Sequence, residues 1–189
     1  RDIKMALTCG EETSDTHNGV EYLLEHHRPL IQAGFAINEG AGGRLDAQGN
    51  RVALGVQAGE KVYQDFIFET TNPGGHSSRP SKENAIYRLS AALTKLQAHD
   101  FPVELNDATR LFFTRNAAIT GGDMGAAMRA VVANPADARA VAMVTRDASY
   151  NSMLRTTCVA TMVTAGHAPN ALPQKARANV NCRILPGHT

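Results

Sequence analysis

The chain has 189 residues, 43% of them hydrophobic and 20% charged, and a formal net charge of +1, the profile of an ordinary globular chain rather than a disordered or fibrous one. Nineteen Lys and Arg against eighteen Asp and Glu leave no basic stripe to neutralise a row of phosphates, so nucleic acid is excluded as an expected partner. No run approaches the roughly eighteen apolar residues of a membrane helix, and the three cysteines, Cys9, Cys158 and Cys182, are odd in number and lack a C-x-x-C pair, which argues against a disulfide framework and a cysteine zinc site.

Residues 3–8 alternate as Ile3-Lys4-Met5-Ala6-Leu7-Thr8 and read as a short strand ending at Cys9-Gly10. A chain that starts without methionine and runs straight into a strand is expected to be a piece of a longer protein. Glu11, Glu12, Thr13, Ser14 and Asp15 make a polar loop. Val20, Leu23, Leu24 and Ile31 then recur at helical spacing, which predicts a helix over about 18–33 with a kink at Pro29 and Gly34 as its left-handed cap. Residues 35–38 form a second strand. Strand, helix and strand in that order predict a βαβ unit of a parallel sheet, with Glu11, Glu12 and Glu39 at the strand C-terminal ends where such sheets carry their loops.

Glycine is frequent from 41 to 59, and strands around 52–56 and 62–70 are separated by Gly59-Glu60. Gly74-Gly75-His76-Ser77-Ser78-Arg79-Pro80 is a loop, after which Ser81 is expected to cap a helix whose Ala85, Leu89, Ala92, Leu93 and Leu96 share one face. Residues 100–122 are poorly patterned and read as loop. Two alanine-rich helices, 124–133 and 136–144, are split by Asn134-Pro135. Residues 156–164 and 176–184 alternate as strands, joined by an irregular connector, 165–174, that holds Gly166, His167, Pro169, Asn170 and Pro173.

Two adjacent carboxylates at a strand end resist joint ionisation unless a cation compensates, and extended backbone points them opposite ways, so one can ligate while the other stays free as a base. Taken alone, Glu11-Glu12 and Glu39 read equally as surface acids. Their order changes this. Gly10-Glu11-Glu12, a helix, a strand and Asn38-Glu39-Gly40, then Gly74-Gly75-His76-Ser77-Ser78-Arg79-Pro80 with Asn84-Ala85-Ile86, then Arg155-Thr156-Thr157, Asn170-Ala171-Leu172-Pro173-Gln174-Lys175-Ala176 and Asn181-Cys182-Arg183-Ile184-Leu185-Pro186-Gly187 follow in register. The whole resembles the dinuclear zinc metallopeptidase family of aminoacylase, carboxypeptidase S, glutamate carboxypeptidase and succinyl-diaminopimelate desuccinylase.

The resemblance implies an α/β chain: residues 1–62 as part of a mixed or parallel-sheet catalytic domain, and 63–189 as an α+β lid, or dimerisation, domain of the split βαβ, ferredoxin-like type, both incomplete, with a helical insertion at about 100–154. It implies Glu11 as general base, Glu12 and Glu39 as metal ligands, His76 as the oxyanion donor reaching into the partner subunit, and Arg183 and Asn170 as holders of the substrate carboxylate, with Gly166 offering backbone N–H groups nearby. It implies two Zn2+ ions per site, or Co2+ or Mn2+, a small peptide or N-acyl amino acid as substrate, and a homodimer formed through the lid. Glu39, where some relatives carry aspartate, leans toward carboxypeptidases and deacylases. The family's His-x-Asp motif, bridging aspartate and late histidine have no counterpart here, so they are expected outside this chain, and the piece alone is expected to be inactive. His76 as a locally bonded loop residue, Arg183 as a surface strand residue, and the lid half as a non-catalytic dimerisation or peptide-binding module are the competing readings.

Overall fold

The computed structural model describes residues 3–10, 17–38 and 41–188. The chain divides into two compact units, Arg1–Gly42 and Gly43–Thr189.

In the first unit, α1 (Gly19–His26) starts at Asn18, whose side chain accepts from Val20 N–H at 2.9 Å. Its N-terminus is held against the preceding segment by Gly19 N–H donating to Cys9 C=O at 2.8 Å. The predicted single helix is broken: α2 (Arg28–Ile31) is separate, with His27 outside helical geometry between them. Pro29 has no N–H to offer the carbonyl four residues back, so the first helix stops ahead of it. The chain then leaves α2 through Gln32, and Gly34 does not take the left-handed cap expected of it. Lys4 donates to the Pro29 and Gln32 carbonyls, both at 3.0 Å. The two strands predicted at 3–8 and 35–38 are not formed: among the described residues neither segment pairs in a ladder, and every ladder is antiparallel. Alternation marks a segment that fits a sheet, but the strand itself requires a neighbour to take its N–H and C=O groups. Ile3, Met5, Leu7, Phe35 and Ile37 accordingly stand exposed.

The second unit opens with a hairpin, β1 (Gly43–Leu45) against β2 (Arg51–Leu54). The Asp46 carboxylate closes its turn, accepting from the Asn50 side-chain amide and from Asn50 and Gln48 N–H, and these donors hold it below the usual carboxylate range. The main sheet comprises β3 (Val62–Thr71), β5 (Thr157–Ala165) and β7 (Lys175–Ile184), with β7 in the centre and both neighbours antiparallel to it. Short strands β4 (Gly75–His76) and β6 (Ala171–Leu172) form a separate two-residue ladder. The three long strands agree closely with the alternating runs read from sequence.

Alternation decides the faces. Ala176, Ala178, Val180 and Cys182 of β7 are buried, while Lys175, Arg177 and Arg183 lie on the open face. Helix α3 (Ala85–Gln97) covers the buried face, packing Ala85 and Leu89 on Ala176 and Ala178, with Phe68 and Leu93 alongside. Asn84, not Ser81, caps it: Asn84 Oδ1 accepts from Ile86 N–H at 2.8 Å, while Ser81 reaches only Glu83 N–H. Cys158 and Cys182 face each other on this side, joined as a disulfide with Cα atoms 4.1 Å apart. The cysteine count alone concealed this bridge, because strand register rather than sequence spacing brings the pair together.

Between α3 and β5 lies a helical segment with a core of its own. Residues 100–122, read as loop, contain α4 (Asp107–Thr120), started by a capping box between Asn106 and Thr109. Next come α5 (Gly122–Ala133), α6 (Ala138–Val144) and α7 (Ala148–Leu154), the last also unforeseen. They bury Phe113, Met128, Val131, Val144 and Leu154 together. The buried face of α4 includes Asn116, which donates to Tyr150 Oη at 3.0 Å and accepts from Arg44 at 3.4 Å. Glu104 N–H donates to Leu154 C=O at 2.9 Å, closing the neck of the segment.

Candidate functional site

Two loops meet at the β3/β5 turn end of the main sheet. The first, after β3, is tied down by Asn72, whose N–H donates to Gln174 C=O at 2.9 Å and whose side chain accepts from Gly74 N–H at 2.9 Å. The second is the 166–174 connector. The β4–β6 ladder sets His76 opposite Ala171, and Ser77 N–H donates to Asn170 C=O at 2.9 Å. Two residues singled out from sequence, His76 and Asn170, are therefore brought side by side, both exposed.

Ser78 engages one nitrogen of the imidazole. Ser78 N–H donates to His76 Nδ1 at 3.2 Å, and Ser78 Oγ lies 2.8 Å from the same nitrogen. When Nδ1 accepts from that N–H, a neutral ring carries its proton on Nε2. In that tautomer Nε2–H is a donor of the kind that suits a developing negative oxygen. Beside it, the start of α3 and the connector bound a shallow groove of about 630 Å³ lined by Asn84, Ile86, Tyr87, His167, Pro169 and Leu172.

Gly166 takes a φ of +75°, a conformation side chains resist, and turns the chain out of β5. Its N–H points to Lys175 C=O at 3.5 Å, so that donor faces the hairpin. Arg183 is not at this tip. It lies near the other end of β7, eight residues beyond Lys175, or about 27 Å of strand at ~3.4 Å per residue. One chain does not bring Arg183 and Asn170 to the same small ligand. Glu11, Glu12 and Glu39 fall outside the described residues. Among the described residues no three His, Cys, Asp or Glu side chains converge where they could hold a metal ion, so these residues do not by themselves fit one.

The surroundings of Arg183 contain residues that sequence reading passed over. Its guanidinium carbon lies 4.8 Å from the centre of the Tyr63 ring, its cross-strand neighbour. Tyr63 Oη donates to Asp65 Oδ2 at 2.7 Å, and Asn179 and Asn181 side chains donate to Asp65 Oδ1 at 3.0 and 2.9 Å. The Asn181 and Tyr63 donors hold the Asp65 carboxyl below the usual range, and the same carboxylate holds the Tyr63 phenol above its own. Strand alternation was the available signal: Tyr63 and Asp65 share a parity, but only the register with β7 reveals that Arg183 joins them.

Lys61, just before β3, donates to the Ser152 and Arg155 carbonyls at 2.9 and 2.8 Å and to Thr157 Oγ1 at 2.9 Å. It thereby satisfies carbonyls left free at the end of α7. Burial, with the nearby Arg183 charge, pushes its ammonium down to about 8. An NMR titration of the Lys61 side chain is expected to show its midpoint near pH 8, against about 10.4 for lysine in a model peptide. Between these two values the unfolded chain holds the proton more than the folded one, so this group makes stability rise with pH across that window.

A helix-backed antiparallel sheet, with a helical segment between its strands and an imidazole on the loops at its tip, defines the lid class of α+β domain. Residues 58–189 match the peptidase dimerisation domain of the M20 peptidases, and the chain belongs to that family. The expected α+β lid is thus present. The chain is 28% identical to the N-fatty-acyl-amino acid synthase/hydrolase PM20D1 of Mus musculus, covering 100% of this chain and 38% of that protein. It is 31% identical to the probable carboxypeptidase S-like 2 of Dictyostelium discoideum over 68% of this chain and 24% of that protein, and 27% identical to carboxypeptidase S of Saccharomyces cerevisiae over 97% and 33%. The chain spans less than two fifths of the length of these relatives. Among the described residues no helix is long and apolar enough to cross a membrane.

Proposed function

We propose that this chain is the central part of a metal-dependent amide hydrolase, a carboxypeptidase, dipeptidase or N-acyl amino acid deacylase, that works as a homodimer through its lid. The observation that carries the proposal is the tip: an exposed imidazole, engaged at Nδ1 by Ser78 and presented by a two-residue ladder beside Asn170. In this reading His76 donates its Nε2 proton to the oxygen of the scissile carbonyl in the partner subunit's site, and Asn170 adds an amide next to it. Arg183 offers its guanidinium fork to the substrate carboxylate at a site served by the other end of β7.

Glu11 is assigned as the base, and Glu12 and Glu39 as ligands of two Zn2+ ions, with Co2+ or Mn2+ as alternatives, completed by residues of the longer protein. When bound, such a pair of ions supplies an activated water and polarises the carbonyl. The experiment is zinc content per chain after dialysis against a metal-buffered solution. Near-zero zinc in the 189-residue polypeptide and close to two ions in the longer hydrolase are expected; two ions bound by this chain alone would overturn the ligand assignment.

A second reading rests on the bare edge of β5, where Val159, Met162 and Val163 are exposed. An edge of this kind accepts a further strand, and a non-catalytic dimerisation or peptide-binding module would use it alone. Turnover lost on Glu11→Gln with dimerisation intact would favour the enzyme; no effect on any activity would favour the module.

A further inference from the structure

We propose that Tyr63 and Asp65 are positioning residues that hold the Arg183 guanidinium ready for a substrate carboxylate. The inference rests on the reading of Arg183 as the carboxylate holder and adds how an exposed arginine is kept in place. An arginine on an open sheet face has several rotatable bonds, and ordering it on binding costs affinity. Here the Tyr63 ring lies under the guanidinium, with its carbon 4.8 Å from the ring centre. The ring is itself tethered, because Tyr63 Oη donates to Asp65 at 2.7 Å and Asp65 is anchored on the central strand by Asn179 and Asn181.

The chemistry of Asp65 is the telling part. A carboxylate two residues along the same strand face from the arginine's cross-strand partner is placed to compete for it and consume the fork. Three neutral donors already engage Asp65: the two Asn amides on Oδ1 and the phenol on Oδ2. Its charge attracts Arg183 without capturing it, and among the described residues Arg183 has no carboxylate within 4.0 Å. The guanidinium is oriented by an aromatic face and a nearby charge, with its N–H groups left for an incoming carboxylate.

The test uses the longer hydrolase with an N-acyl amino acid and its carboxamide, which differ only in the carboxylate. Arg183→Ala is expected to raise KM for the acid at least about ten-fold. Tyr63→Leu is expected to raise it about two- to five-fold, the range an exposed cation–π contact supplies. Tyr63→Phe, which keeps the ring and loses the tether, and Asp65→Ala should fall between Tyr63→Leu and wild type, with kcat and the carboxamide KM unchanged. If Arg183→Ala alone raises KM, the positioning role is wrong and the carboxylate reading stands. If Arg183→Ala is silent, the carboxylate reading falls and takes the positioning role with it. Equal effects on acid and carboxamide would mark a merely structural cluster and overturn the proposal. Independently of turnover, 15N relaxation of the Arg183 Nε–H in the 189-residue chain should show a restrained side chain that Tyr63→Leu frees; equal mobility in both would also overturn it.

Discussion

Replacing His76 by alanine in the longer hydrolase is expected to lower kcat by about 10²- to 10³-fold while leaving KM nearly unchanged, the cost of losing one donor to a developing oxyanion. The split follows from the geometry. In the proposed reading Nδ1 is engaged by Ser78, and Nε2–H donates to the oxygen, a bond that strengthens as charge builds there. Ser78→Ala should cost less, because the backbone N–H that engages Nδ1 remains. The subunit arrangement gives a sharper measurement. If His76 acts in the partner's site, mixing His76→Ala with Glu11→Gln subunits produces mixed dimers with one intact site, and activity should recover to about a quarter of wild type at equal ratio. No recovery, with mixed dimers demonstrated, would place His76 and Glu11 in the same subunit's site.

The second large effect is on stability. Gly125→Ala is expected to destabilise the second unit by about 2 kcal/mol, even though alanine favours a helix over glycine by about 1 kcal/mol. A Cβ at this position would run into the carbonyl oxygen of Ala117 in α4, a backbone atom that cannot rotate aside. The same carbonyl accepts from Gly121 N–H at 3.2 Å at the end of α4, so pushing the helix away disturbs its termination as well. Overpacking a close-packed core costs about 1–3 kcal/mol, and the upper end applies where the backbone must yield. The midpoint of thermal unfolding should fall by roughly 4–8 °C. Gly59→Ala, with nothing within 4 Å of the added carbon, is the control and should stay within about 0.5 kcal/mol of wild type.

Legibility from sequence followed the cause of each element. β3, β5, β7 and α3 carry their own burial pattern, and their positions were readable within a few residues. The hidden helix α4 shows why pattern fails: its buried face runs Phe113, Asn116, Ala117, and the asparagine, satisfied by Tyr150 and Arg44 across the fold, interrupts the apolar period. The opposite error occurred at 3–8 and 35–38, where alternation was present but pairing was not. At the site, sequence motifs named His76 and Asn170, whereas their adjacency depends on a two-residue ladder too short to leave a signal. Tyr63 and Asp65 stayed invisible because parity places side chains on a face, and only register places them beside one another.

The hydrogen bond from Glu104 to Leu154 has a consequence for how this domain can change over time. It pins the two ends of the helical segment together, so α4 to α7 leave and rejoin the chain at one point, like a bead on a closed loop. Phe113, Met128, Val131 and their neighbours fill their own core and ask little of the sheet. Such a segment is free to grow, shrink or be exchanged without displacing α3 or β5. Diversity in this domain therefore has a natural place to accumulate, away from the strands that carry Arg183 and the loops that present His76.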